Sequence, residues 1–140
     1  MQVSSILEGK QAVRGDISSR MDLIELGSKG VTKAALLCLA DYLELSLGQI
    51  AQLLPVTERT IQRYTKRQRF NCVVSEQILQ VAEAAARGAE VFGDKGRFLS
   101  WMKSPSPALG DRTPLSLLSS RFGNEVVLDE LGRIEHGIAS

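Results

Sequence analysis

Apolar residues recur along this chain at three- and four-residue intervals, and strict alternation is rare. Between Thr32 and Leu43, the positions Leu36, Leu39, Ala40 and Leu43 share one helical face, with Thr32 placed to cap it. Ser46–Leu54 repeats the device with Leu47, Ile50, Ala51 and Leu54. Pro55 must end that helix, because it lacks an amide donor and biases Leu54 away from helical dihedrals. Thr57 then reads as the N-cap of a third helix, with Glu58 near the positive end of its dipole. A longer helix is predicted from Ser75 to about Phe92, striped by Ile78, Val81, Ala82, Ala85, Ala89 and Phe92 and stopped by Gly93. Asp94 caps a shorter helix that carries Phe98, Trp101 and Met102. Residues 104–110 have loop composition, and Thr113 followed by Pro114 opens a short helix to Ser119. The last helix is expected over Asn124–His136, with Val127, Leu131, Ile134 and Ile138 on one side. The pattern predicts an all-α fold with a weakly patterned segment at its start.

Composition narrows the class. The chain has 140 residues, 44% of them hydrophobic and 24% charged, which suits one compact domain or two small ones. The longest apolar run, Ala34 to Ala40, is too short to cross a bilayer, and no basic patch leads into an apolar stretch at the N-terminus. The expected location is cytoplasmic. Cys38 and Cys72 form no CxxC, and His136 is the single histidine, so neither a disulfide framework nor a zinc site is expected. Cys38 sits in an apolar helix and is predicted to be buried, whereas Cys72 is predicted to be partly exposed.

The net charge of +1 conceals an uneven distribution. Residues 57–69 contain five basic side chains (Arg59, Arg63, Lys66, Arg67 and Arg69) and one acid, Glu58. Residues 105–140 carry three basic and five acidic residues. On a helical wheel over Thr57–Arg67, the residues Arg59, Gln62, Arg63 and Lys66 cluster in one sector with Arg67 beside them, while Ile61 and Tyr64 face the other way. Such a helix can rest on a core and enter a major groove, where arginine reads guanine and glutamine suits adenine. Threonine and lysine can hold phosphate. The candidate DNA-binding residues are therefore Thr57, Arg59, Thr60, Gln62, Arg63, Lys66, Arg67 and Arg69. Two short helices joined by Leu53-Leu54-Pro55-Val56-Thr57 resemble a helix-turn-helix, with small Ala51 at the crossing and Ile61 as the buried aliphatic. Pro55 departs from the pattern, since glycine usually supplies a positive φ in that turn.

Further strings are more distinctive: Ala89-Glu-Val-Phe-Gly-Asp94, Phe98-Leu-Ser-Trp101-Met102, Pro105-Ser-Pro107-Ala-Leu-Gly110, Pro114-Leu-Ser-Leu-Leu118 and Leu131-Gly-Arg-Ile-Glu-His-Gly137. Together with the helix-turn-helix they resemble the Xre/MbcA/ParS-type antitoxins that partner RES-domain toxins, over roughly residues 30–140. The resemblance implies an antitoxin that neutralises its toxin by contact and represses its own operon. It also implies a C-terminal segment that covers the toxin's NAD pocket, here Arg133, Ile134, Glu135, His136, Gly137 and Ile138. Trp101 is a further candidate toxin contact, although its spacing with Phe98 and Met102 also suits a core position. The expected organisation is a weakly patterned segment over 1–19, a helix-turn-helix module over 20–72 and a toxin-binding module over 73–140.

The implied partners are a cognate RES-domain toxin and operator DNA. A homodimer is also expected, because one short basic stripe binds an operator weakly and helix-turn-helix proteins pair two half-sites. The alternative is a transcription regulator whose C-terminal module only oligomerises. An enzyme would need a nucleophile, a base and an orienting group, and one histidine with two separated cysteines does not signal that set, so no catalytic residue and no cofactor is assigned. The alanine-rich Ala82–Ala89 stretch suits either a dimer seam or internal packing.

Overall fold

A computed structural model describes Ile6 and residues 20–139. Apart from Ile6, which is buried, the weakly patterned segment 1–19 lies outside the described residues. The helices are α1 (Arg20–Lys29), α2 (Lys33–Tyr42), α3 (Leu47–Ala51), α4 (Glu58–Arg63), α5 (Cys72–Phe92), α6 (Lys95–Met102), α7 (Pro114–Leu117) and α8 (Arg121–Ala139), with a 3-10 turn at Pro107–Leu109. No strand occurs among the described residues, only the isolated bridges Thr32–Arg69 and Ser106–Arg112. The fold is all-α. No helix among these residues is long and apolar enough to cross a membrane.

Side-chain caps set most helix starts. Thr32, Thr57 and Thr113 accept from the amides of Ala35, Thr60 and Ser116, and Ser46 and Gln49 form a reciprocal capping box. Each such cap is worth about 1 kcal/mol. Two starts differ from the sequence reading for the same reason. Asn71 accepts from Val74 N, so α5 begins at Cys72 rather than Ser75. Ser120 accepts from Gly123 N through its hydroxyl and from Asn124 N through its carbonyl, so α8 begins at Arg121 rather than Asn124. It also runs on to Ala139. The short α7 ends at Leu117, before the expected Ser119. Gly93 does close α5, in a left-handed conformation with φ of 68°.

The core is organised around α5, whose Ile78, Val81, Ala82, Ala84 and Ala85 are fully buried. Helix α1 runs antiparallel to it, since Arg20 pairs with Glu83 while Gly27 lies against Glu76 and Leu79. Helix α8 runs alongside in the same direction, because Gln77 donates to the Leu118 carbonyl and Arg87 pairs with Glu135. The alanine stretch is thus filled from within the chain. Gly88 completes that packing: a Cβ there would sit 2.1 Å from the ring of the fully buried Phe98 on α6. At its other side, α6 is fastened to the end of α2. Lys95 lies 4.7 Å above the Tyr42 ring and 3.9 Å from the Glu44 carboxylate, and Lys103 Nζ donates to the Glu44 carbonyl at 3.1 Å.

Candidate nucleic-acid and partner interfaces

Helices α3 and α4 meet through Ile50 and Ile61, both fully buried, with Ala51 and Leu54 also buried beside them. The segment Ser46–Leu54 is helical only to Ala51. Beyond it, Gln52, Leu53 and Leu54 donate to Gln49, Ile50 and Ala51 in successive three-residue steps, which tighten the chain before Pro55. No residue from Gln52 to Thr57 has a positive φ. The turn therefore reaches α4 by a route open to proline, and the absence of glycine is explained.

The sequence wheel over Thr57–Arg67 is corrected by the structure. Helix α4 ends at Arg63, and Tyr64 is extended. The cause lies far away in the chain. The Tyr64 ring stacks on Phe70 at 4.8 Å, and Lys33 Nζ donates to the carbonyls of Tyr64 (2.9 Å) and Gln62 (3.5 Å). The backbone then turns back onto the start of α2, where Ala34 N donates to Lys66 O and Lys33 N to Gln68 O. Lys66 and Arg67 consequently occupy an exposed turn beside the helix end rather than its face. Lys33 was missed by sequence reasoning, since nothing local marks a lysine as the cap of a helix 30 residues on.

The remaining basic residues divide by what they touch. Arg59 and Arg63 are exposed on α4, and neither they nor Lys66 and Arg67 form an ion pair among the described residues. Arg69 Nη1 donates to the Gly30 carbonyl at 2.6 Å, so part of its guanidinium serves the fold. The Thr57 hydroxyl accepts from Thr60 N and lies 3.0 Å from the Thr60 hydroxyl, while Gln62 Nε2 donates to Glu58 at 3.4 Å. Four unpaired cations around a short, firmly capped helix can engage a polyanion.

The C-terminal candidates have another character. Arg133 donates through Nε to Glu130, a largely buried carboxylate, at 2.7 Å. Arg87 grips Glu135 with two bonds of 2.7 and 3.1 Å. The hydrogen bond from Arg87 holds the Glu135 carboxyl below its ordinary range, and the Arg87 charge adds to it. Arg133 and half-buried Ile134 line an open depression of about 500 Å³ with Glu130 and Ala108. His136 and Gly137 are exposed on the last turns of α8, and the Ile138 side chain lies outside the described residues. Trp101 belongs to a different depression, of about 540 Å³, where it stands 5.5 Å from Phe92 and beside Arg97 and Ser100. It is half-buried and packs against the core. Sequence reading also missed the outer face of α8, where Phe122 is 78% exposed.

The two cysteines hold no disulfide. Cys38 is half-buried, not buried as its apolar helix suggested. Exposed Cys72 lies 3.5 Å from Glu76, whose hydrogen bond and charge push the thiol up, so it is no ready nucleophile.

Comparison with known proteins divides the chain in two. The antitoxin Xre-like helix-turn-helix domain matches residues 22–83, and the antitoxin Xre/MbcA/ParS C-terminal toxin-binding domain matches residues 87–137. Antitoxin Xre of Yersinia enterocolitica is 39% identical over 79 residues, covering 56% of this chain and 53% of that protein. Antitoxin Xre of Photorhabdus laumondii is 33% identical over 95 residues, covering 66% of this chain and 64% of its own length. The chain thus matches between about half and two thirds of the length of these relatives. With α1–α4 and most of α5 in the first domain, and the end of α5 through α8 in the second, the chain belongs to the Xre/MbcA/ParS antitoxin family.

Proposed function

We propose that this chain is an antitoxin that binds a RES-domain toxin over its NAD-binding site and represses its own operon through the helix-turn-helix. The observation that carries the reading is the union, in one chain, of a helix-turn-helix with four cations that form no ion pair among the described residues and a second module matching a toxin-binding domain. In this reading Arg59, Gln62 and Arg63 face the groove. Lys66 and Arg67 hold phosphate from the adjoining turn, and Thr57 and Thr60 mark the helix start. Arg69 contributes with whatever donors Gly30 leaves it.

The toxin contact engages Arg133, Ile134, Glu135, His136, Gly137 and Ile138 at the end of α8, with Trp101 a separate contact. These residues act as a docked helix end, because Arg87 already holds Glu135. A homodimer presents two α4 helices to two half-sites. No step of this function requires a catalytic group in the chain.

The test is co-expression with a RES-domain protein encoded beside this chain, followed by affinity capture and by binding to the DNA upstream of the pair. Joint capture and specific binding to that DNA are expected. DNA binding and self-association without capture of the RES-domain protein would favour a regulator whose C-terminal module only oligomerises.

A further inference from the structure

We infer that the outward stripe of α8, formed by Phe122, Val126, Asp129 and Arg133, is a docking surface for the toxin, with Phe122 as its apolar anchor. The inference rests on the antitoxin reading above and adds to it a surface that reaches back about three turns from Arg133 at the helix end.

The stripe follows from helical register. Steps of four, three and four residues, at about 100° each, keep these side chains within one narrow sector of the helix. Phe122 is 78% exposed and Val126 43%, and Asp129 and Arg133 are exposed as well. The opposite sector is committed to the core, with Val127 and Leu131 fully buried. Among the described residues, Phe122 is the most exposed of the large apolar side chains, and it needs no such exposure to start the helix, because Ser120 supplies the cap. An aromatic ring left in water on the first turn of a helix whose other face is buried is the kind of residue that dominates a protein interface.

Charge and continuity identify the occupant. Glu125, Asp129 and Glu130 outnumber Arg121 and Arg133 along this part of α8, so the surface offers no excess of positive charge to hold nucleic acid. Arg121 lies 3.6 Å from Glu125 and Arg133 is held by Glu130, whereas exposed Asp129 forms no ion pair among the described residues. The whole stripe lies inside the residues matched to the toxin-binding domain, and at Arg133 it joins the proposed toxin-contacting end. The complementary surface is a socket for an aromatic ring with a cation about two turns along, opposite Asp129.

The experiment measures the affinity of the full chain for the RES-domain protein encoded beside it, by calorimetry, for wild type and for Phe122→Ala, Phe122→Tyr and Phe122→Arg. Phe122→Ala should weaken binding by about tenfold or more, Phe122→Arg further, and Phe122→Tyr should stay close to wild type. Thermal midpoints and DNA binding should be unchanged, since the side chain packs against little in the free protein. Unaltered toxin affinity in both Phe122→Ala and Phe122→Arg overturns the proposal. So does a Phe122→Arg variant that loses self-association in sedimentation yet keeps its toxin affinity, because the stripe would then belong to a second copy. Failure of the wild-type chain to bind overturns the antitoxin reading itself, and that result is distinct from any difference between variants.

Discussion

The surface around α4 and the surface around α8 solve recognition in opposite ways. At α4 the backbone is held by distant Lys33 at its end and by the Thr57 cap at its start, while Arg59, Arg63, Lys66 and Arg67 form no ion pair among the described residues. At α8 most charged groups are already matched, Arg87 with Glu135 and Arg133 with Glu130, and apolar surface is left exposed beside Asp129. Unpaired cations attract phosphates at long range but gain little selectivity until a helix fixes them. Matched charges with an exposed ring give little long-range pull, and their binding depends on fitted area. One chain can therefore carry two interfaces that do not compete for the same kind of partner.

Several changes would break this contrast. The largest effect is expected from removing residues 133–140: inhibition of the toxin should be lost entirely, with operator binding kept, as read by paired NAD-turnover and gel-shift assays. Retained inhibition would place the toxin contact elsewhere. Ionic strength should separate the surfaces next. If a dimer sets four cations, Lys66 and Arg67 of each copy, on phosphates, raising salt from about 50 to about 200 mM should weaken operator binding on the order of 10²-fold. Toxin binding should change far less in the same titration.

Two substitutions at the basic surface should then part company. Arg63→Ala should weaken operator binding by roughly 1–3 kcal/mol and leave both the melting temperature and toxin neutralisation unchanged. Lys33→Met removes the cap on α4, so operator affinity and thermal stability should fall together, by about 1 kcal/mol of stability. Equal loss of stability in both variants would mean that Arg63 serves the fold.

The smallest effect concerns pH. The Glu135 carboxyl is held below its ordinary value by Arg87, so its contribution is present above the usual carboxylate range and disappears as pH falls through the depressed value. Protection of the amides at the last turns of α8, corrected for intrinsic exchange, should fall at acid pH in wild type. In Glu135→Gln it should lack that acid-dependent component.

What the sequence shows of this molecule is chiefly what acts over a few residues. Thr32, Thr57, Gly93 and Thr113 sit at the helix ends that their chemistry predicts, and spacing picks out the buried Leu36 and Leu39 of α2, Ile78 and Val81 of α5, and Val127 and Leu131 of α8, while Phe92 and Ile134 are only half-buried. The basic stripe was legible as composition, yet its shape was not. Helix α4 stops at Arg63 because Tyr64 finds Phe70 and Lys33 finds the helix carbonyls, and such partners leave no mark in a local window. Likewise Glu135 reads as a free acid in the sequence, since Arg87 stands 48 positions earlier. Gly123 and Asn124 look like a helix boundary, which hid the exposed Phe122 ahead of them until Ser120 was seen to cap the helix.

The most direct test of an antitoxin that occludes an NAD site is a titration. NAD consumption by the RES-domain protein is followed while this chain is added. Turnover should fall in proportion to added chain and stop at a fixed molar ratio, with Arg63→Ala behaving as wild type. Turnover that continues unchanged when the chain is in excess would contradict the reading.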